Sequence, residues 1–182
     1  VDEVSDTVKW KLAGSYESDD ICDYYYSAIE LGWASHIKFD HEFLGRKALE
    51  EEMKSPRRKI VTLEFDKEDV LDVYASFFEK DETYEFIDIP HKGFLTVQAD
   101  RIIKDGKLVG ISTNPFYSYY FRKMITIAFV SVDIAPGSKV EVLWGNPGKR
   151  QKVIRATVAQ SPYKTDKRRT KLNTLPEKFS GI

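Results

Sequence analysis

"FLTVQADRIIKDGKLVGIST", residues 94–113, decides the fold. It reads as a strand, a Lys104-Asp105-Gly106 turn and a second strand. Asp-Gly is a strong short-range hairpin signal, because the tight two-residue turn needs positive φ angles that these residues adopt readily. Downstream, "MITIAFVSVDI" (124–134) is built almost entirely of β-formers. "SKVEVLW" (138–144) and "KVIRATVAQ" (152–160), joined through Gly145-Asn146-Pro147-Gly148, make another strand pair. Short strands at this spacing, with no long helices between them, predict a closed or sandwiched antiparallel structure.

Upstream the pattern changes. "RRKIVTLEF" (57–65) reads as a buried strand, and "DKEDVLDVYASFF" (66–78) as a helix with Val70, Val73, Tyr74, Phe77 and Phe78 on one stripe behind an acidic first turn. Asp40 is the expected N-cap of a helix over 41–54 that turns Phe43, Leu44 and Ala48 toward a core and stops at Ser55-Pro56. "TVKWKLAG" (7–14) and "SHIKF" (35–39) are expected strands; "SAIELGW" (27–33) is too short and Gly-broken for a full helix. The fold class is therefore α+β: an α/β segment over 1–55, an antiparallel β domain over 56–163 and a basic tail over 164–182.

The 182 residues are 42% hydrophobic and 31% charged, enough for one globular domain with a real core. No apolar run approaches the roughly 18 residues of a membrane span. No leader-like series opens the chain, and the single cysteine, Cys22, cannot pair internally, so the expected compartment is the cytoplasm. The first residue is Val1, which suggests a piece of something longer. Residues 1–90 carry 11 Lys and Arg against 23 Asp and Glu (−12); residues 91–182 carry 17 against 6 (+11). Two solvated faces, or a basic surface aimed at an anion, would both give this asymmetry.

Most motifs that could carry chemistry fail on spacing. "HEFLG" (41–45) opens like a zinc-protease helix but has Gly45 at the second histidine position, and His36, His41 and His91 are scattered, so no metal is expected. "GNPGKR" lacks the loop length and the Ser or Thr of a phosphate-binding loop and reads as a hairpin turn. Trp10 and Trp144 sit on expected strands, as packing. The aromatic and basic run "YSYYFRKM" (117–124) has no RNA-binding signature around it, so nucleic acid is not favoured. What remains is "DICDYYYSAIELGW" (20–33): Tyr24, Tyr25, Tyr26, Glu30 and Trp33. A glutamate beside aromatic rings can accept from the ring N–H and amino groups of a pterin or purine; a solvated glutamate on a turn is the alternative.

The run "YSAIELGWASHIKFDHEFLGRKAL" resembles the segment of the glycine-cleavage T-protein (aminomethyltransferase) family in which a Thr-Pro-x-Glu-type turn precedes a strand and a helix. "RRKIVTLEF", "GKLVGISTNPFYSYYFRKMITIAFV" and "GSKVEVLWG…IRATVAQSPY" follow the order of that family's C-terminal barrel. "DYYYSAIELGW", "YSYYFRKM" and "VLWGNPG" look most like the tetrahydrofolate-dependent O-demethylases of methoxylated aromatics such as vanillate and syringate. Residues 66–93 and the tail are the least typical.

That resemblance implies a three-domain enzyme around a central folate pocket, of which this chain is the C-terminal part; the N-terminal portion that supplies much of the pocket is missing. Segment 1–55 would complete the folate-binding part, and the barrel would be its C-terminal domain. Glu30 matches the folate-contacting glutamate, and Arg57 or Arg58 falls near the arginine that meets the folate tail. Tyr24 and Trp33, nine apart, match the demethylase tyrosine near the methyl ether and a ring of the folate site, with Tyr25 and Tyr26 as alternatives to Tyr24. The family commonly has proline where Ala28 stands, which would loosen the turn. The implied cofactor is tetrahydrofolate and the implied donor a small methoxylated aromatic. An aminomethyl donor, a non-catalytic β-barrel module gripping nucleic acid or an acidic partner, and a folate-binding regulatory relative are the alternatives. By itself the chain is expected to be inactive.

Overall fold

A computed structural model describes residues 11–87 and 96–164. The first half of the first expected strand with Trp10, the segment holding His91, and most of the basic tail lie outside the described residues.

Six strands close into an antiparallel barrel: β2 (Arg58–Phe65), β4 (Asp100–Lys104), β5 (Lys107–Ser118), β6 (Lys123–Ser131), β7 (Lys139–Trp144) and β8 (Lys152–Ala159). Their order is β2-β6-β5-β4-β7-β8, with β8 returning to β2. The β4–β5 turn has φ of 50° at Asp105 and 74° at Gly106, the pair of positive angles that the Asp-Gly signal implied. Alternation then fills the interior. Val140, Val142 and Trp144 of β7 and Ile154, Ala156 and Val158 of β8 are buried, while Lys139, Glu141 and Arg155 between them are not. The buried Trp144 indole N–H donates to the Glu85 carbonyl at 2.7 Å.

Helix α2 (Lys67–Ala75) starts at Asp66, whose carboxylate accepts from the backbone N–H groups of Glu68 and Asp69. Val70 and Val73 reach the core, with Tyr74 and Phe77 packed against it, but Phe78 is 92% exposed. Upstream, the helix is shorter than its periodicity suggested. Helix α1 (Arg46–Lys54) begins after Gly45, which has φ of 87°; Asp40 instead bonds the His41 ring, so it caps nothing. Leu44 is fully exposed, Ala48 is exposed, and α1 buries no residue. "SHIKF" is not a strand: Ala34–His36 is a single 3-10 turn. Among the described residues no helix is long and apolar enough to cross a membrane, and no group of three or more His, Cys, Asp or Glu could hold a metal ion.

The short strand β1 (Lys11–Ala13) pairs in parallel with β3 (Thr96–Gln98) and leads into a tight turn over the barrel rim. Gly14 has φ of 105°, and a Cβ there would lie 2.1 Å from the Ala99 carbonyl oxygen, so only glycine fits. The neighbouring Ser15 N–H donates to the Asp100 carboxylate at 3.0 Å, and the Gln98 side-chain amide donates to it at 2.7 Å. Burial pushes the Asp100 carboxyl up to about 7, outweighing the bonds from Gln98, Ser15 and Gly145, with the charge of Glu85 adding to the rise.

Because the folded carboxyl holds its proton to higher pH than an unfolded aspartate, its stabilising contribution is complete below about pH 4 and is lost as pH rises through about 7. The loss is on the order of 4 kcal/mol. Asp100→Asn is expected to flatten that decline. Urea midpoints of the two proteins between pH 4 and 8 check it, and parallel profiles would overturn it.

Candidate functional site

The segment before α1 lies on the outer wall of the barrel. Along β6, Met124, Thr126, Ala128 and Val130 point inward, leaving Phe129 outside, opposite Ile60 of β2. Tyr26 covers it, stacked at 3.6 Å between ring centroids. One edge of β2 near Ile60 carries no strand, and there the Ile60 N–H donates to the Glu30 carbonyl at 3.0 Å. These contacts seat the 23–33 loop against Arg58, which leaves the barrel on the same outer face.

Glu30 is 4% exposed, which excludes a solvated turn glutamate. It starts a single helical turn through a reciprocal capping box. The Ser27 hydroxyl accepts from the Glu30 N–H and the Glu30 carboxylate accepts from the Ser27 N–H, both at 3.1 Å. Gly32, with φ of 78°, ends the turn. This box, together with a bond from the Ser27 hydroxyl to Glu52 of α1, holds the turn that Ala28 was expected to loosen.

Arg58 faces the same carboxylate with its planar fork: Nε donates to Oε1 at 2.6 Å and one terminal nitrogen to Oε2 at 3.1 Å. The other terminal nitrogen reaches the Asp23 carbonyl at 3.2 Å, and the first also reaches the Tyr25 carbonyl at 3.0 Å. Its guanidinium carbon sits 5.4 Å from the Tyr26 ring centre. Burial pulls the Arg58 guanidinium down, but hydrogen bonding and charge from Glu30 outweigh it and leave it above its ordinary value. Burial likewise pushes the Tyr26 hydroxyl up. Removing one partner of such a buried pair costs about 3–5 kcal/mol.

Tyr24 is half-buried. Its hydroxyl accepts from the Ser18 N–H at 3.0 Å and donates to the Tyr16 carbonyl at 3.3 Å, with the two rings edge to face. It lines a cavity of about 590 Å³ with Leu12, Tyr16, Glu17, Asn146 and Pro147. Tyr25 is 64% exposed and Trp33 57% exposed. Arg57 is exposed, and its carbonyl accepts from Val132. The structure thus brings Glu30, Arg58 and the 23–26 run into one cluster, with Trp33 and Arg57 open to solvent. A larger cleft, about 1350 Å³, surrounds the far end of β2 near Phe65, Val70, Lys123 and Val140; none of the five candidate residues lines it. Of the five candidates Tyr24 alone lines the smaller cavity, and Glu30 and Arg58 line neither.

Sequence reading missed Ser27, Glu52, Tyr16 and Phe129. Ser27-x-x-Glu30 carries the local signature of a capping box. The partnership of Tyr26 with Phe129 spans 103 residues and leaves no local trace.

No family model matches the chain. Syringate O-demethylase of Sphingobium sp. (strain NBRC 103272 / SYK-6) is 34% identical over 166 residues, 85% of this chain and 36% of the relative. Sesamin methylene transferase of Sinomonas sp. (strain No.22) is 35% identical over 151 residues, 76% and 33% respectively. Aminomethyltransferase of Thermotoga petrophila is 27% identical over 135 residues, 74% and 29%. The chain therefore spans about a third of the length of the curated relatives it matches. Among solved structures, glycine cleavage system aminomethyltransferase T from Bartonella henselae superposes on 76% of this chain and 32% of its own, with a TM-score of 0.50 at 16% identity, a likeness of fold. The chain is homologous to the C-terminal part of the glycine-cleavage T-protein (aminomethyltransferase) family, whose barrel it shares.

Proposed function

We propose that the chain is the C-terminal part of a tetrahydrofolate-dependent one-carbon transferase, and that the whole protein moves a methyl group from a methoxylated aromatic to tetrahydrofolate. The observation that carries this reading is the burial of Glu30 within an Arg58-linked cluster of tyrosines. A buried carboxylate suits the N–H donors of a pterin, and tyrosine rings suit its faces. Residues 1–55 are assigned to the folate-binding part, 56–163 to the barrel domain and 164–182 to a basic tail. Trp33 and Arg57, exposed beside the cluster, are assigned to a ring wall and the folate tail.

An aryl methyl ether is inert because its phenolate leaves poorly. Tyr24 acts as general acid, giving its hydroxyl proton to the ether oxygen as the O–CH3 bond breaks. That proton rests on a long, weak contact with the Tyr16 carbonyl, so it is easily redirected, and the Ser18 N–H stabilises the tyrosinate left behind. When bound, tetrahydrofolate would supply N5 as the methyl acceptor, and the proton that the methylated amine gives up would restore the Tyr24 hydroxyl. The second reading, transfer of an aminomethyl group, draws on the Thermotoga petrophila relative and needs no such acid.

The whole protein is expected to convert vanillate or syringate to the phenol with tetrahydrofolate, and the isolated 182 residues to show no turnover. Chromatography of the phenolic product checks both. Turnover by the 182 residues alone would contradict the assignment as a partial enzyme; transfer from an aminomethyl donor only would favour the second reading.

A further inference from the structure

The larger cleft, at the end of β2 away from Glu30, joins an apolar floor to a charged rim. Phe65, Val70, Met124 and Val140 form the floor, with Leu71, 52% exposed, beside them. Tyr117 and Tyr119 line one wall, their rings edge to face at 5.3 Å between centroids. At about 1350 Å³ the cleft exceeds the roughly 300–1,000 Å³ of an ordinary small-molecule pocket, so a ligand of two or more rings fits. Pairing on the rim decides the charge of that ligand. Glu64 accepts from Lys123 and from the Tyr163 hydroxyl, and Arg155 bonds Asp66 and Asp69. Lys67 lies 3.1 Å from Glu68, and Lys104 lies 3.9 Å from Asp105. Among the described residues, Lys139 and Arg122 are the rim cations with no carboxylate at ion-pair distance. The Lys139 ammonium donates to the Thr157 hydroxyl at 2.7 Å, and Arg122 forms no ion pair. Glu141 is the one rim carboxylate likewise unpaired, so two unmatched cations stand against one anion.

Arg122 also carries backbone strain. It ends the β5–β6 hairpin loop at φ of 52°, in the left-handed region where Gly or Asn is at ease and a long side chain is not. Glycine would serve the turn better, so what arginine adds there is its guanidinium, unpaired at the edge of an apolar cleft. We propose that this cleft is a second binding site and that it takes an amphipathic aromatic anion. The rings lie on the Phe65, Val70 and Met124 floor, and the acid group meets the Arg122 and Lys139 charges at the rim. None of the residues assigned to folate or to proton transfer lines it.

The test is fluorescence titration of the whole protein with 8-anilinonaphthalene-1-sulfonate and with N-phenyl-1-naphthylamine, which has the same rings and no charge. The sulfonate is expected to bind about tenfold more tightly than the neutral compound. Arg122→Gly and Lys139→Gln should each weaken the sulfonate about three- to fivefold, the scale of an exposed ion pair, and hardly move the neutral compound. Arg122→Gly should meanwhile leave the melting temperature unchanged or higher, because glycine adopts the left-handed conformation without strain. Lys139→Gln, on a regular strand, reads the same loss without touching the hairpin. Equal affinity for the two compounds, or sulfonate binding that neither substitution changes, would overturn the site. A rise in sulfonate affinity on deleting residues 165–182 would also overturn it and give the cleft to the chain's own end.

Discussion

Replacing Tyr24 with phenylalanine in the whole protein is expected to lower the rate of methyl transfer by roughly 10²–10⁴-fold, the usual contribution of a positioned general acid. Tetrahydrofolate affinity should hardly move, since the removed hydroxyl serves the ether oxygen. The structural cost should also be small. The hydroxyl makes two bonds to the 16–18 backbone, one of them at 3.3 Å, and their net loss is about 1–2 kcal/mol. Tyr25→Phe is the matching control: its ring is 64% exposed, and the contact this residue makes with Arg58 is through its carbonyl, which the substitution leaves intact. Single-turnover kinetics with syringate read the chemical step directly. A normal rate in Tyr24→Phe with loss in Tyr25→Phe would move the acid by one residue. Normal rates in both would remove the demethylase reading and leave aminomethyl transfer.

The barrel was legible because its signals are local. Asp105-Gly106 demands positive φ at both positions, and the alternation in "SKVEVLW" and "KVIRATVA" separates a buried face from a solvated one within a few residues. The segment before it was harder to read for a physical reason. Apolar residues at helical spacing imply a face to bury, and Phe43, Leu44 and Ala48 carried that implication; yet nothing among the described residues covers Leu44. Gly45, in a left-handed conformation, then sets the helix start five residues later than Asp40 would have. Glu30 was singled out from its neighbours, and it is buried rather than solvated. Its pairing with Arg58, 28 residues away, depends on β2 and the 23–33 loop meeting on the outer wall, which no local pattern encodes.

The claim on which the rest depends is that Glu30 receives the pterin. Glu30→Gln removes the charge while keeping the side-chain volume. Hydrogen bonds to a charged acceptor contribute about 1.5–3 kcal/mol. Glu30→Gln is therefore expected to weaken tetrahydrofolate by roughly ten- to a hundredfold, with binding of the methoxylated aromatic nearly unchanged. The decisive measurement is the tetrahydrofolate dissociation constant of the wild type against Glu30→Gln by calorimetry, with both proteins shown folded by their melting transitions. A drop in affinity within that range is the predicted result. Equal affinities in the two folded proteins would contradict the folate site and return Glu30 to a purely structural part, as the cap of its turn and the partner of Arg58.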